Sequence, residues 1–226
     1  MARTGESLMK KAIAVLAVLA VSGAAFGNTI IHNKLQGPGY AWSSGFGSSS
    51  GGQNLFGGYN DYAVVDKVSV PLGFNAITEI KTTSISAANF FFGAAPILAT
   101  QASVYVTQNL GSGAPTLTNV GVASVNIGVD GYGIAMVQMT WTGNIPVTGG
   151  QDYYIGLRAF STAGEPNEWY YQHDAPGGGS AHQSAFGGPF GSLGNIATSM
   201  QVSAVPAPAS LALVGLGGLV AARRRR

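Results

Sequence analysis

The sequence predicts an all-β domain, an antiparallel β-sandwich of about eight or nine strands, and three observations predict it. Apolar residues alternate with period two in several runs, and no window sustains a helical period. Clusters of Gly, Pro, Asn and Ser punctuate those runs at short intervals. Charged residues make up only 9% of the chain, so neutral polar groups must solvate most of the surface. Frequent short strands with turn signals between them bury their apolar faces best as two packed sheets.

Along the chain, residues 62–70 (YAVVDKVSV) form a strand stopped by Pro71. Residues 77–85 alternate, with Ile77, Glu79, Lys81 and Thr83 interleaved by Thr78, Ile80 and Thr82. Residues 102–108 and 120–127 are strands flanking the turn-rich stretch 111–115. Residues 134–142 and 153–160 are strands separated by Pro146 and Gly149-Gly150. Residues 169–172 form a short aromatic strand, and 196–204 close the domain. The Gly/Ser-rich regions 43–58 and 175–194 read as long loops, and 86–100, with Phe90-Phe91-Phe92 before Pro96, reads as a loop capping the core. No repeat recurs at a fixed period.

The formal charge of +2 belongs to the termini. Arg3, Lys10, Lys11 and Arg223 to Arg226 hold seven of the eleven basic residues. Between residues 28 and 204, four basic groups face eight acidic ones, a net charge of −4. A basic face is the footprint of nucleic-acid binding, so no nucleic-acid partner is expected. The absence of cysteine excludes a disulfide framework and thiolate metal sites.

Residues 1–27 have the layout of a secretory signal peptide: a basic start at Lys10-Lys11, the apolar run 12–21, then small residues through Gly27. Cleavage after Gly27 places Ala25 and Gly27 at the small-residue positions that signal peptidase reads; Ala24 and Ala25 are alternative sites. Residues 28–204 form the sandwich domain. Residues 205–226 begin with Val205-Pro206-Ala207-Pro208, continue as an apolar stretch of 14 residues (209–222), and end in Arg223, Arg224, Arg225 and Arg226. Prolines end strands, so this pair is expected to separate the domain from the tail. The apolar stretch is a short hydrophobic helix, below the roughly 20 residues of a stable transmembrane span. Gly215, Gly217 and Gly218 weaken it further, and the arginines hold its end on the cytoplasmic side. This is the layout of a transient membrane anchor awaiting enzymatic removal.

The Pro motif, the glycine-rich span and the Arg run resemble the PEP-CTERM sorting signal of Gram-negative and related bacteria. That resemblance implies processing by an exosortase in bacteria that typically make exopolysaccharide. Ala207 stands where the family carries its central Glu. Within the domain, the run Val65-Asp66-Lys67-Val68-Ser69-Val70-Pro71, the strand around Val104-Tyr105-Val106, Tyr153-Tyr154-Ile155-Gly156-Leu157 and the strand around Trp169 are similar to sandwich domains found upstream of such tails. This implies a jelly-roll-like shape and no particular activity.

Groups for catalysis are few. His32, His173 and His182 are the only imidazoles, and Ser184 near His182 lacks a Gly-x-Ser-x-Gly elbow. Glu165 and Glu168, with Asp152 or Asp174 opposite, are the thin supply for a glycosidase pair, and Glu165-Pro166-Asn167-Glu168 reads as a turn. Asn60-Asp61 and Asp130-Gly131 are turn-like, without the spacing of an EF-hand, which leaves structural Ca²⁺ as the sole cofactor to consider. No phosphate-cradling glycine motif occurs in the domain. Trp141, Tyr153, Tyr154, Trp169, Tyr170 and Tyr171 supply flat aromatic faces, mostly for the core. Trp169, Tyr170 and Tyr171 are the candidates for stacking on sugars, since successive strand residues face opposite ways. The expectation is a non-enzymatic, exported surface or extracellular-matrix protein associated with exopolysaccharide. A carbohydrate-binding module is the alternative, and a secreted polysaccharide hydrolase the third.

Overall fold

The computed structural model describes residues 28–39, 46–50, 63–86, 89, 93–160, 168–174, 179, 181–183, 189–192 and 197–207. These residues are all-β and antiparallel, forming two sheets packed on a shared core. The strands are β1 (Thr29–Asn33), β2 (Phe46–Ser50), β3 (Val64–Ser69), β4 (Phe74–Ser86), β5 (Gln101–Thr107), β6 (Leu117–Gly121), β7 (Ala123–Val129), β8 (Ala135–Pro146), β9 (Asp152–Phe160), β10 (Glu168–Asp174), β11 (Ala181–Gln183), β12 (Phe190–Ser192), β13 (Ala197–Thr198) and β14 (Met200–Pro206).

Fourteen strands among the described residues exceed the eight or nine expected, and the surplus has identifiable causes. Strand β1 directly adjoins the expected leader, outside every run that alternation marks. Strands β2, β11 and β12 lie inside the Gly/Ser-rich regions expected to be loops. The expected strand 120–127 is two strands: β6 pairs with β5 in one sheet, β7 with β8 in the other. The chain changes sheets at Val122, whose N–H donates to Thr100 O.

The first sheet is built on the 13-residue β4. One side of β4 pairs with β8, and β7 pairs with the far side of β8. Its other side pairs with β14 as far as Thr82 and then with β10 from Ser84 to Ser86. Strand β1 lies outside β14, and β2 and β13 pair with β10. The second sheet has the order β12-β11-β3-β9-β5-β6. Between the sheets pack Val68, Val70, Val104, Val106, Ile155 and Leu157 from the second sheet and Ile77, Ile80, Trp141, Ile145, Met200, Val202 and Ala204 from the first.

Pure alternation misplaces part of β4. The ladders on both its sides shift register near Thr78 and Glu79. That bulge changes the phase of the strand, so Ile77 and Ile80 both reach the core although they are an odd number apart.

Two prolines expected to lie beyond strands instead end them. Pro146 of β8 sits opposite Ala76 and Pro206 of β14 opposite Phe74, on the two sides of the start of β4. At a strand end the missing N–H removes little from the ladder. The sheet therefore runs two residues past the expected boundary at Ala204, and the Ala207 N–H still bonds Gly73 O at 2.6 Å.

Residues 34–39 cross the first sheet on its outer side. The Lys34 N–H donates to Met200 O on β14, the Thr83 hydroxyl on β4 donates to Gln36 O, and the Gly39 N–H donates to Val129 O on β7. Thr83, on the face of β4 opposite Ile80, is thereby fully buried.

The second sheet curls outward over itself. Strand β3 leaves β9 beyond the Asp66–Ile155 pair and turns to β11 at Val64 and Val65. Gly156 makes this departure sterically feasible, because a Cβ there would overlap Val64 O. The curl closes where the Phe190 N–H donates to Leu110 O at 2.7 Å. Beneath it, Ala63, Val65, Tyr105 and Phe190 form a second apolar cluster on the outer face, with the Phe190 ring edge-on to Tyr105 at 5.5 Å between centroids.

Candidate functional site

The most unusual group in the core is Asp66. Along β3 the inward positions are Val64, Asp66, Val68 and Val70, and all four are buried. A carboxylate at such a position requires partners, since burying it unpaired costs several kcal/mol or more. The partner comes from the first sheet: the Thr198 backbone N–H lies 3.0 Å from Oδ1 and 2.9 Å from Oδ2. His32 Nε2 on β1 lies 3.6 Å from Oδ2, with the His32 side chain 13% exposed. Asp66 thus ties β3 to β13 across the sandwich, with His32 of β1 close beside it.

Neutral hydroxyls extend the polar character at this end of the first sheet. The Thr83 N–H donates to Ser199 O, and the Ser199 hydroxyl accepts the Gln36 N–H. Thr82 and Ser84, on either side of Thr83, are buried, and their hydroxyl oxygens have no hydrogen-bond partner among the described residues. No group of three or more His, Cys, Asp or Glu suited to a metal ion occurs among the described residues.

Asp152, Glu79 and Asp130 each hold local structure. On the outer face of the second sheet, Lys67 Nζ lies 2.7 Å from Asp152 Oδ2, and the Ser69 hydroxyl donates to Asp152 Oδ1 at 2.5 Å. The hydrogen bonds from Lys67 and Ser69 hold the Asp152 carboxyl below its ordinary range, and the bond to Asp152 and its charge raise the Lys67 ammonium above its own. Glu79 accepts from Lys81 at 3.1 Å and from the Ser203 hydroxyl at 3.3 Å. Asp130 closes the β7–β8 hairpin: its Oδ1 accepts the N–H groups of Tyr132 and Ile134, each at 2.8 Å. The Asp130-Gly131 turn is therefore a side-chain-capped hairpin tip.

The structure disperses the glycosidase candidates. Asp152 is engaged with Lys67 and Ser69, while Glu168 and Asp174 occupy opposite ends of β10, with Ser50 and Ala197 as their Cα partners. Glu165, Ser184, Asn60 and Asp61 lie outside the described residues. Trp169, Tyr170 and Tyr171 stand together on β10, which pairs on both sides, with Ser86, Ile85 and Ser84 on one and Ser49, Ser48 and Gly47 on the other. Their side chains are outside the description. Trp141 is a core residue, and Tyr153 and Tyr154 pack against the apolar clusters on opposite faces of the second sheet.

Of the tail motif, Val205 and Pro206 belong to β14 and Ala207 is bonded to Gly73. Pro208, Arg223, Arg224, Arg225 and Arg226, the hydrophobic stretch between them, and the leader 1–27 lie outside the described residues. No helix among the described residues is long and apolar enough to cross a membrane.

The sequence alone does not pair His32 with Asp66, although it carries a signal for Asp66. That residue stands in phase with Val64, Val68 and Val70, so an inward carboxylate is readable from period two alone. His32 carries no such signal. No family model, curated protein or solved structure matches the chain.

Proposed function

We propose that this chain is an exported cell-surface or extracellular-matrix protein with a structural or interaction role and no catalytic one. A PEP-CTERM-like tail anchors it transiently in the inner membrane, and an exosortase releases it. The jelly-roll-like sandwich then resides in the envelope or matrix, where exopolysaccharide is its candidate associate. The observation carrying this reading is the three-part tail, with its Pro motif, short apolar span and terminal arginines. Its Pro motif overlaps the end of the domain, where Val205 and Pro206 belong to β14 and the Ala207 N–H bonds Gly73 O. A non-catalytic role is supported by the scaffolding bonds of Asp66, Glu79, Asp130 and Asp152.

The test compares the full chain with one ending at Ala207. Ending at Ala204 would also remove Val205 and Pro206, which pair with β4, and would confuse sorting with folding. The shortened chain is expected to escape the envelope into the medium, and mass spectrometry of the full chain's mature product is expected to find a C-terminus upstream of Arg223. Unchanged retention, or a mature product ending at Arg226, would exclude the sorting role.

A further inference from the structure

We infer that β7 is a self-association edge, along which a second copy of this chain pairs antiparallel to extend the first sheet. Strand β7 (ASVNIGV) is seven residues long, without charge or proline, and among the described residues it pairs with β8 alone. Folded proteins normally guard such an edge with charge, proline, brevity or a bulge that turns it aside, because unpaired N–H and C=O groups template further pairing.

The other edges carry such guards. Strand β1 is bulged at Ile31 and followed by Lys34. Strand β6 has Asn119 in the left-handed region at φ 53°, and β12 is three residues long. Strand β2 lies against β9 and β3 of the second sheet. The bulge in β7 lies between Asn126 and Gly128, toward the end where Gly39 already bonds Val129 O. The stretch from Ala123 to Asn126 therefore remains as the regular pairing surface.

Charge and exposure favour a second copy as the occupant. From residue 109 to 151 the sole ionisable carboxylate is Asp130, which is buried, and the stretch has no Lys or Arg. The rest of the domain carries the net negative charge, so a two-fold contact made elsewhere would set like charges against each other. At β7 a neutral surface meets itself. Val125 is 53% exposed and Val129 49%, with Tyr132 of the hairpin tip 63% exposed beside them. A two-fold axis through Val125 sets each Val125 opposite its mate, in the isologous arrangement that closes at two copies.

The chain has no cysteine, so single cysteines report this contact without background. In the full-length chain, Val125→Cys is compared under mild oxidation with Ile30→Cys on the opposite edge, a position of equal exposure (52%). Val125→Cys is expected to form the disulfide-linked dimer roughly tenfold faster or more, as pairing raises the local thiol concentration. Adding Ile127→Pro, which puts into the edge strand a proline of the kind that guards natural edges, is expected to abolish that advantage. Equal rates at the two positions overturn the inference, as does a Val125→Cys advantage that survives Ile127→Pro. Should cysteine at 125 disturb folding, sedimentation of the unsubstituted chain decides: a dimer supports the inference, and a monomer at every concentration reached overturns it.

Discussion

The two faces of β3 contrast instructively. Facing inward, Asp66 sits among Val64, Val68 and Val70, a carboxylate inside a hydrocarbon core. Facing outward, Val65 is fully buried while Lys67 and Ser69, two and four residues on, are exposed. Strand alternation assigns each side chain to a face, but what lies across that face decides its environment. The inward face tolerates Asp66 because Thr198 delivers a backbone N–H from the opposite sheet. The outward face buries Val65 because the sheet curls until Phe190 covers Tyr105, and the curl stops short of Lys67.

The largest effect is expected from breaking the inward side. Asp66→Ala removes the acceptor from a buried Thr198 N–H and deletes the tie to His32, at a cost of about 3 kcal/mol or more in urea unfolding. Asp66→Asn keeps an acceptor oxygen in the same place and is expected to lose about half as much. If both variants unfold like the parent, the cross-sheet bond contributes nothing and the contrast between the faces collapses. Phe190→Ala is the matching test of the outward side. It opens the covered cluster and is expected to cost about 3 kcal/mol, near the lower end for buried Phe because the site can partly collapse. The near-UV circular dichroism spectrum, to which Tyr105 contributes, is expected to change relative to the parent, and an unchanged spectrum together with unchanged stability would show that Phe190 does not hold the curl.

Much of this contrast is legible in the sequence. Alternation locates β3, β4, β5 and β9, and the aromatic run locates β10. The features that escape it have physical causes. The run Val120 to Ile127 looks like one strand because both sheets demand the same period, so a change of sheet at Val122 leaves no mark in hydrophobicity. Strands β11 and β12 have few apolar side chains, and they are defined by partners distant in sequence. Pro146 and Pro206 look like stops, yet at a strand's last residue a missing donor is tolerated. For the candidate site, Asp66 is readable from its phase, whereas its partners His32 and Thr198 stand 34 and 132 residues away in the chain.

A smaller effect separates the two partners of Asp66. His32 Nε2 at 3.6 Å is beyond hydrogen-bond distance, so it acts on the carboxylate through its charge when protonated and through packing otherwise. His32→Gln is expected to cost about 1 kcal/mol or less, well under Asp66→Ala. In the Asp66→Ala background that cost is expected to shrink. Equal costs in the two backgrounds would show that His32 does not act through Asp66.

The smallest effect belongs to the exposed pair on the outward face, and there pH makes it visible. The Asp152 carboxyl is held below its ordinary value of 3.8 by hydrogen bonds from Lys67 and Ser69, so it binds protons less readily folded than unfolded. Its contribution to stability is present above that ordinary value and disappears as pH falls through the lower folded value. Lys67 is raised above 10.5, so its contribution is present below that pH and disappears as pH rises through the higher folded value. Between those limits Asp152→Asn is expected to lower the melting temperature slightly, less than any variant above, and added salt is expected to narrow the gap. In strong acid the parent and Asp152→Asn should melt together, because the parent's carboxyl is then neutral too. A gap that persisted in acid would assign the effect to the shape of the Ser69 hydrogen bond and not to charge. The outward face would then resemble the inward one, holding its carboxylate by hydrogen-bond geometry.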